Sequence, residues 1–498
     1  MNSFKPMLLT SLKSYDRAQF AKDVTAGIIV AIIALPLSIA LALASGVGPE
    51  AGIFTAIVAG FVISALGGSC VQIAGPTAAF ATIVAGIVAR DGLEGLMTAT
   101  ILAGVFLIIM GFCHFGSLIK FIPYTITTGF TSGIAVTIVI GQLKDFCGVT
   151  YPDGVKPIET MEKLKAFAEN FSTISPDALI VGGVSLAILI VSPLIFKKIP
   201  GSLIAVIAGI LMVQFLPLHV STIGNLYTIS NALPTLHLPV FDMKLIQSAI
   251  PNAFTIAVLA AIESLLSCVV ADGMINSKHR SDTELIAQGA GNIASALFGG
   301  IPATGAIART AANIKNGGRT PVAGMVHSIT LVIVLVVLMP FAGMIPMPTI
   351  AAILFLVAYN MCQWRTFVHL VRTAPKSDII VLFTTFVLTV VFDLVVAIEI
   401  GMVLACLLFI KRMSEETHAD SWVYVDDDSP AVDEHLQKLP LEIRVYEITG
   451  PLFFGAADAI EHIVVKDFTK CLVLRMRSVP TIDSTAMNAL QNLTKLCE

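Results

Sequence analysis

The sequence contains few charged residues: Asp, Glu, Lys and Arg make up 13% of its 498 residues, whereas hydrophobic residues make up 56%. A soluble domain of this composition has too few polar residues to cover its apolar ones. The chain is therefore predicted to be a polytopic membrane protein. Its net charge of −4 is small, and no nucleic-acid partner is expected.

Cysteine pairs and nucleotide-binding motifs are also lacking. The eight cysteines are scattered, mostly inside apolar runs, and none forms a C-x-x-C pair, which argues against a disulfide framework or a zinc site. No G-x-x-x-x-G-K-[ST] loop is present to hold ATP. The sequence thus indicates neither an enzyme nor a cofactor. If the chain moves a solute, an ion gradient or an exchange reaction drives the movement.

Long apolar runs are abundant. Residues 1–23 are polar and basic and do not resemble a cleavable signal peptide. We predict fourteen membrane segments, at 24–44, 50–66, 76–90, 95–112, 121–141, 178–195, 201–217, 251–273, 285–299, 307–316, 322–343, 348–361, 377–392 and 394–410. With the N-terminus inside, Lys and Arg lie mostly on the inner flanks. Both termini are therefore expected in the cytoplasm, with the protein in the cytoplasmic (inner) membrane.

The fourteen segments divide into two sets of seven. The first repeat is predicted over 24–217 and the second over 251–412, with an extracytoplasmic connection at 218–250. Because seven is an odd number, a duplicated unit enters the membrane in opposite directions in the two halves. This arrangement is an inverted repeat.

The third segment of each half is interrupted. SCVQIAGPTAAFATIVAGI begins at Ser69 and GGIPATGAIARTAANI begins at Gly299; each has a short extended piece, a Gly/Pro/Thr break and a short helix. A helix that starts in mid-membrane presents unpaired N–H groups and a positive dipole end. Two such starts facing each other predict an anion cradle, to which Thr77 and Thr304 add hydroxyls. The alternative is that both breaks are only packing kinks.

Two opposite charges lie in apolar surroundings. Arg309, at the start of the second broken helix, offers a planar, permanently charged fork for a carboxylate or a sulfate-like oxyanion. Glu263, four residues before Ser267 on the same helix face, either carries a proton or, when ionised, helps to hold a cation such as Na⁺. A structural ion pair between Glu263 and Arg309 is the alternative for both residues.

At these motifs the chain resembles the SulP anion transporters, relatives of solute carrier family 26. The resemblance rests on IALPLSIALALASGVGPEAGIFTAIVAG (33–60), IAGPTAAFATIV (73–84), FTSGIAV (130–136), IESLLSCVVADGM (262–274) and GGIPATGAIARTAANI (299–314). It implies an α-helical core domain of spans 1–4 and 8–11 and a gate domain of spans 5–7 and 12–14. It also implies an elevator-like movement of the core against the gate.

The resemblance also implies a set of site residues. Between the starts of spans 3 and 10, and along span 1, the substrate is expected to meet Thr77, Ala78, Ile307, Ala308, Arg309, Leu37 and Leu41. In bicarbonate carriers of the family, an Asp and a Thr at the positions of Glu263 and Ser267 help to bind Na⁺. This chain has Glu263 and Ser267 at those two positions, and the difference favours proton coupling over Na⁺ coupling. The motifs IESLL, DGM, KH and ATGAIART are most similar to those of a bacterial proton-coupled C4-dicarboxylic acid transporter of the family.

The composition changes after the last apolar run. Residues 413–440 form an acidic linker, and 441–498 resemble a STAS domain, with EIRVYEI and CLVLRM as strands and AADAIEHIV as a helix. The resemblance implies a partial domain, which ends about halfway at Glu498 and mediates dimerisation or binds a cytoplasmic partner. Ser484 matches a loop that is phosphorylated in soluble relatives; a helix N-cap is its alternative role.

The sequence therefore predicts a secondary active anion transporter. The first hypothesis is proton-coupled symport of a small organic, C4-dicarboxylate-like anion, and the second is a symporter or exchanger of sulfate, bicarbonate or chloride. A sensor that signals through the tail is a third, which the paired broken helices oppose. A nucleobase carrier on the same fold is a fourth, which Arg309 opposes because a neutral base needs no fixed cation.

Overall fold

The computed structural model describes residues 4–117, 123–152, 157–195, 200–239, 242–392, 394–421, 442–461, 463 and 469–498. The chain divides into two compact units. The first comprises Met1–Ala374 and Leu382–Ile398, and the second comprises Pro375–Val381 and Glu399–Glu498.

Helices dominate both halves of the membrane region. The first half contains α1 Met7–Ser11, α2 Arg17–Ala44, α3 Pro49–Leu66, α4 Ala81–Phe112, α5 Tyr124–Cys147, α6 Thr160–Glu169, α7 Pro176–Ile195 and α8 Gly201–Phe215. The second half contains α9 Ile223–Leu226, α10 Met243–Ile275, α11 Ser281–Leu297, α12 Ile307–Lys315, α13 Val322–Ala342, α14 Met347–Cys362, α15 Trp364–Thr373, α16 Lys376–Val391 and α17 Leu394–Glu415. Two short strands, β1 Ala74–Gly75 and β2 Thr304–Gly305, precede α4 and α12.

Every predicted membrane segment corresponds to a helix. Segments 3 and 4 share α4, where Gly92 adopts φ 71° and ψ −169° and breaks the helix between them. This backbone conformation strains any residue with a Cβ, so glycine separates the two segments. Segment 8 is longer than predicted, because α10 begins at Met243, inside the stretch expected to be a connection. The predicted α-helical fold of seven plus seven segments is confirmed.

The helices of the first unit pack as two groups. One group consists of α2, α3, α4, α10, α11, α12 and α13, which are the helices predicted for the core domain. The other consists of α5, α7, α8 and α14, which are predicted for the gate domain. Small residues allow close approach in the first group: a Cβ added at Gly104 of α4 would lie 2.6 Å from the carbonyl oxygen of Gly289 in α11. Backbone contact of this kind is typical of packed membrane helices.

The second unit contains a three-stranded sheet. Its strands are β3 His418–Ser421, β4 Ile443–Thr449 and β5 Cys471–Ser478, in the order β3-β4-β5. The β3–β4 pair is antiparallel and the β4–β5 pair is parallel. Helices α18 Asp458–Glu461 and α19 Ser484–Cys497 follow β4 and β5. The predicted strands EIRVYEI and CLVLRM are confirmed, whereas β3 occupies part of the stretch predicted to be a linker.

The helix cap near the end of the chain differs by one residue from the sequence-based expectation. Asp483 is the N-cap of α19, and its Oδ1 accepts a hydrogen bond from the Ala486 N–H at 2.8 Å. Ser484 is the first helical residue. The expectation that Ser484 caps this helix is therefore wrong, because the neighbouring carboxylate satisfies the exposed N–H group.

Candidate anion-binding site

The two broken helices meet through a short antiparallel ladder. Strand β1 pairs with β2, with Ala74 opposite Gly305 and Gly75 opposite Thr304. The Ala306 N–H then donates to the Ile73 carbonyl at 2.9 Å. Antiparallel pairing is the geometry expected where two halves of a chain run through the membrane in opposite directions. The ladder therefore brings the starts of segments 3 and 10 together.

The first helix start is built from Thr77 and Ala78. Thr77 is extended, with φ −126° and ψ 158°, and precedes a 3-10 turn at Ala78–Phe80 that continues into α4. The Thr77 hydroxyl does not cap this turn but donates to Glu263 Oε2 at 2.9 Å. Thr77 is half-buried and Ala78 is 4% exposed. The first N–H groups of the turn thus lack a side-chain acceptor.

The second helix start is the N-terminus of α12. Its N-cap is Ala306, which has no side-chain oxygen, so the first N–H groups of the helix receive no side-chain cap. Ile307 and Ala308 are exposed at this start. Thr304 is fully buried instead, and its hydroxyl lies 2.6 Å from the Ser264 hydroxyl and donates to the Ala260 carbonyl at 3.2 Å. The expectation that Thr304 adds a hydroxyl to the cradle is therefore wrong.

Arg309 lies behind the ladder. Its side chain is 1% exposed, and Nη2 donates to the Pro76 carbonyl oxygen at 2.9 Å. Nη1 packs so closely against Gly75 that a Cβ there would collide with it. Nε and Nη1 have no hydrogen-bond partner among the described residues. A guanidinium in this position holds the end of β1 to α12 and adds positive charge beneath the two helix starts.

Glu263 and Arg309 do not form an ion pair. Among the described residues no carboxylate lies within 4.0 Å of the Arg309 guanidinium, and Glu263 bonds to Thr77 instead. Glu263 is half-buried. Ser267 is 1% exposed and donates to the Thr310 hydroxyl at 3.4 Å. The two residues predicted for coupling therefore make separate contacts, and the structural ion pair is excluded.

The residues predicted on segment 1 lie in α2. Leu41 is 2% exposed, and Leu37 is partly buried against the apolar cluster that also contains Ala78. Pro36 lies inside the same helix. The structure thus brings Leu37 and Leu41 into the apolar cluster on which the first helix start rests.

A polar stripe on α11, which sequence reasoning missed, supports both helix starts from behind. Glu284, Gln288 and Asn292 are all fully buried. Glu284 Oε2 accepts from the Gly68 and Ser69 N–H groups, at 2.9 and 3.2 Å, in the segment that connects α3 to β1. Asn292 Oδ1 accepts from the Ala303 N–H at 2.8 Å, just before β2.

The same stripe is bonded along its own length. Glu284 Oε1 accepts from the side-chain amides of Gln72 at 2.8 Å and Gln288 at 2.9 Å. The signal for this stripe is present in the sequence, because Glu284, Gln288 and Asn292 recur at intervals of four residues and so share one face of the helix. Most buried polar atoms of the stripe are thus hydrogen-bonded, whereas Gln288 Oε1 has no partner among the described residues.

Two helix starts are thus held together inside a helical membrane bundle, with a buried cation behind them. This arrangement is typical of membrane anion transporters. The model of the Sulfate permease family matches residues 20–385, and the STAS domain model matches residues 437–498. The chain belongs to the sulfate permease family and is a transporter, not an enzyme.

Several relatives and solved structures agree with this assignment. The putative sulfate transporter YvdB of Bacillus subtilis is 40% identical over 493 residues, which cover 97% of this chain and 90% of that protein. The bicarbonate transporter BicA of Picosynechococcus is 34% identical over 488 residues, covering 94% and 85%. The transmembrane domain of a cyanobacterial BicA superposes with a TM-score of 0.68 at 30% identity, covering 78% of this chain and 98% of that one. Murine Solute Carrier 26 family member A9 has the same fold, with a TM-score of 0.86 at 18% identity over 99% and 86%.

Proposed function

We propose that this transporter carries a small inorganic oxyanion of the sulfate or bicarbonate type. The observation that carries the proposal is the pair of uncapped helix starts held together by the β1–β2 ladder. Each start contributes roughly half an elementary positive charge together with free N–H donors. A relative of 40% identity is named as a putative sulfate transporter and one of 34% identity as a bicarbonate transporter, which supports an inorganic substrate.

The solvent exposure of the residues at the two helix starts indicates which of them contact the substrate. Thr77, Ile307 and Ala308 border the helix starts and reach the surface, whereas Arg309 is buried behind them. Oxyanion atoms bind the exposed N–H groups of the two starts, and the Arg309 charge strengthens this binding from behind. Ala78, Leu37 and Leu41, which belong to the same apolar cluster, are proposed to form the apolar side of the site. The site selects for charge through the N–H groups and for size through these small and apolar side chains.

Glu263 is the proposed proton carrier. Its carboxylate accepts from Thr77 at 2.9 Å, next to the first helix start. An anion bound at that start repels an ionised Glu263, so anion binding and protonation of Glu263 favour each other. Ser267 contributes by its bond to Thr310, which fixes α10 against α12. Proton symport follows from this coupling, and Na⁺ has no carboxylate–hydroxyl pair of Glu263 and Ser267 to hold it.

A C4-dicarboxylate such as succinate is the second candidate. The motifs IESLL and ATGAIART support it, and so does the small size of Ala308 at the exposed start of α12. A second carboxylate needs a second group of donors. Beyond the N–H groups of the two helix starts, Arg309 Nε and Nη1 are unbonded among the described residues, but they are buried behind the starts. An inorganic oxyanion is satisfied by the two helix starts alone, which is why it ranks first.

The test is uptake by the full chain reconstituted in liposomes. Labelled sulfate, bicarbonate and succinate are each offered with an acidic exterior, with symmetric pH, and with a Na⁺ gradient. We expect sulfate or bicarbonate uptake that rises with the pH gradient and does not need Na⁺. Succinate uptake without uptake of either inorganic anion would overturn the substrate assignment. Uptake that follows the Na⁺ gradient would overturn proton coupling.

Transport is proposed to occur by elevator-like movement of the α2–α4 and α10–α13 group against the α5, α7, α8 and α14 group. Both termini are proposed to face the cytoplasm, and the protein to form a homodimer with the STAS domain available to a cytoplasmic partner. Cross-linking between copies in membranes tests the dimer, and protease access from either side tests the orientation.

A further inference from the structure

Helix α15 differs from the membrane helices on either side of it. Its ten residues, WRTFVHLVRT, include none that is buried. Gln363, with φ 43° and ψ 42°, connects it to α14. Two residues separate its end from the start of α16. A non-glycine residue in this left-handed region marks an enforced change of direction. Helix α15 is thus a short helix between two membrane segments.

The side chains of α15 separate into two stripes. Arg365, His369 and Arg372 recur at intervals of four and three residues, lie on one face and are all exposed. Phe367 and Val371 lie on the opposite, half-buried face. A short amphipathic helix with this division is typical of a segment that lies in the plane of the membrane interface.

The contacts of the apolar stripe fix this orientation. The Phe367 ring packs against Phe383 and Phe386 of α16, with ring centroids 5.6 and 5.5 Å apart. At the start of the helix the Trp364 indole N–H donates to the Tyr359 hydroxyl at 3.4 Å, and both side chains are exposed. Tryptophan and tyrosine gather at the headgroup level of membrane proteins. The aromatic pair therefore marks the depth of α15.

The basic stripe forms no ion pair with the part of the chain that the structure describes, either at Arg365 or at Arg372. The Arg365 guanidinium lies 5.8 Å from the Trp364 ring, which holds it beside the interfacial aromatic pair. Two exposed guanidinium groups on one face of an interfacial helix fit phosphate groups, which arginine binds through paired N–H donors.

We propose that α15 lies in the membrane interface and that Arg365 and Arg372 bind the phosphate groups of anionic phospholipids. The site is separate from the proposed anion cradle, whose residues lie on α2, α4, α10 and α12. The ligand is a lipid because the arginines stand next to the aromatic pair at the bilayer surface. His369 lies between them and completes the stripe.

The experiment uses Trp364 as a reporter. The chain has two tryptophans, so Trp422→Phe leaves Trp364 alone. The full chain is reconstituted in two sets of vesicles made of phosphatidylcholine and phosphatidylglycerol. In one set the phosphatidylglycerol carries brominated acyl chains, and in the other set the phosphatidylcholine carries them; bromine quenches tryptophan fluorescence on contact. We expect Trp364 to be quenched preferentially by brominated phosphatidylglycerol. The preference should be roughly fivefold for each arginine and should weaken at high salt.

Matched variants separate charge from structure. Arg365→Gln with Arg372→Gln should remove the preference, whereas Arg365→Lys with Arg372→Lys should retain most of it. Lys165→Gln on α6, which also removes an exposed cation, should leave the preference unchanged. Equal quenching by the two lipids in the parent chain, or an unchanged preference in the double glutamine variant, would overturn the proposal.

A free phosphate ion is distinguished from a lipid in the same assay. Inorganic phosphate is added at an ionic strength matched with chloride. We expect the two salts to lower the lipid preference equally, since both act by screening. A larger loss with phosphate would assign the stripe to free phosphate and overturn the lipid assignment.

Discussion

The two helix starts occupy matching positions in the two halves of the chain, yet they use their polar side chains in opposite ways. In the first half the threonine of the break, Thr77, reaches the surface and bonds to the titratable Glu263. In the second half Thr304 is buried and holds the start to α10, while Arg309 supplies a fixed charge. The two halves thus differ, with a carboxyl group bonded to the first start and an arginine next to the second; under the proposed coupling, the first start is the proton-sensitive one.

Removing the fixed charge should have the largest effect on transport. Arg309→Ala leaves the Pro76 carbonyl without its donor and takes away the positive charge beneath both starts. We expect uptake to fall at least about tenfold, because a hydrogen bond to a charged group contributes roughly 1.5–3 kcal/mol. Arg309→Lys should restore part of the uptake, since it keeps the charge but not the fork. Uptake at the parent rate in a folded Arg309→Ala protein would contradict the assignment.

Removing the titratable group should uncouple transport without abolishing it. Glu263→Gln keeps a partner for the Thr77 hydroxyl but no longer ionises. We expect pH-driven accumulation to be lost, whereas exchange of labelled for unlabelled anion at equal pH continues. The matched control is Glu94→Gln, which alters an exposed carboxylate at the middle of α4. Accumulation that still follows the pH gradient in Glu263→Gln would exclude Glu263 as the proton carrier.

The support behind the first start can be weakened separately. In Glu284→Gln an NH₂ group replaces one of two oxygens that each accept hydrogen bonds, so at least one buried donor loses its acceptor. We expect the free energy of unfolding to fall by about 2 kcal/mol, measured as a lower midpoint of thermal unfolding in detergent. Anion affinity should fall as well, because Gly68 and Ser69 precede β1. A variant with unchanged stability and affinity would show that the stripe does not support the start.

The smallest expected effects compare the two threonines directly. Thr304→Val removes a buried hydroxyl and should cost about 1 kcal/mol of stability while leaving the pH dependence of uptake unchanged. Thr77→Val should have the opposite pattern, with little loss of stability and a shifted pH dependence, because it removes the donor to Glu263. The measurements are the pH profile of uptake and the midpoint of thermal unfolding, each compared between the two variants. The same pattern in both variants would contradict the division of roles.

Much of the architecture could be predicted from the sequence. Apolar runs and Gly/Pro breaks gave the position of every membrane helix, because the hydrocarbon core demands continuous apolar stretches with satisfied backbone groups. The ends of the helices were predicted less accurately. Segment 8 was predicted to begin at residue 251, but α10 begins at Met243, because Pro251 is accommodated within the helix. The matching breaks predicted a short extended piece before each helix start, whereas the pairing of these pieces as the β1–β2 ladder was not predicted.

The site was predicted less completely than the fold. The sequence singled out Thr77, Glu263 and Arg309, whose chemistry is unusual in an apolar segment. It did not reveal which of them bond to each other, because the Thr77–Glu263 bond joins residues 186 positions apart. For the same reason the alternative of a Glu263–Arg309 ion pair could be excluded only from the structure: charge suggests partners, but packing determines which atoms are within reach. The burial of Thr304 was not predicted either, because it also depends on the packing between segments.

The β1–β2 ladder has a consequence for the direction of transport. Because the ladder and Arg309 bind the two helix starts into one body, the starts cannot separate to release the anion. Under the proposed movement the same donors face the anion on both sides of the membrane, and its affinity is equal on each. A carrier of this kind is reversible: the electrochemical gradients of the anion and the proton decide whether the cell fills or empties.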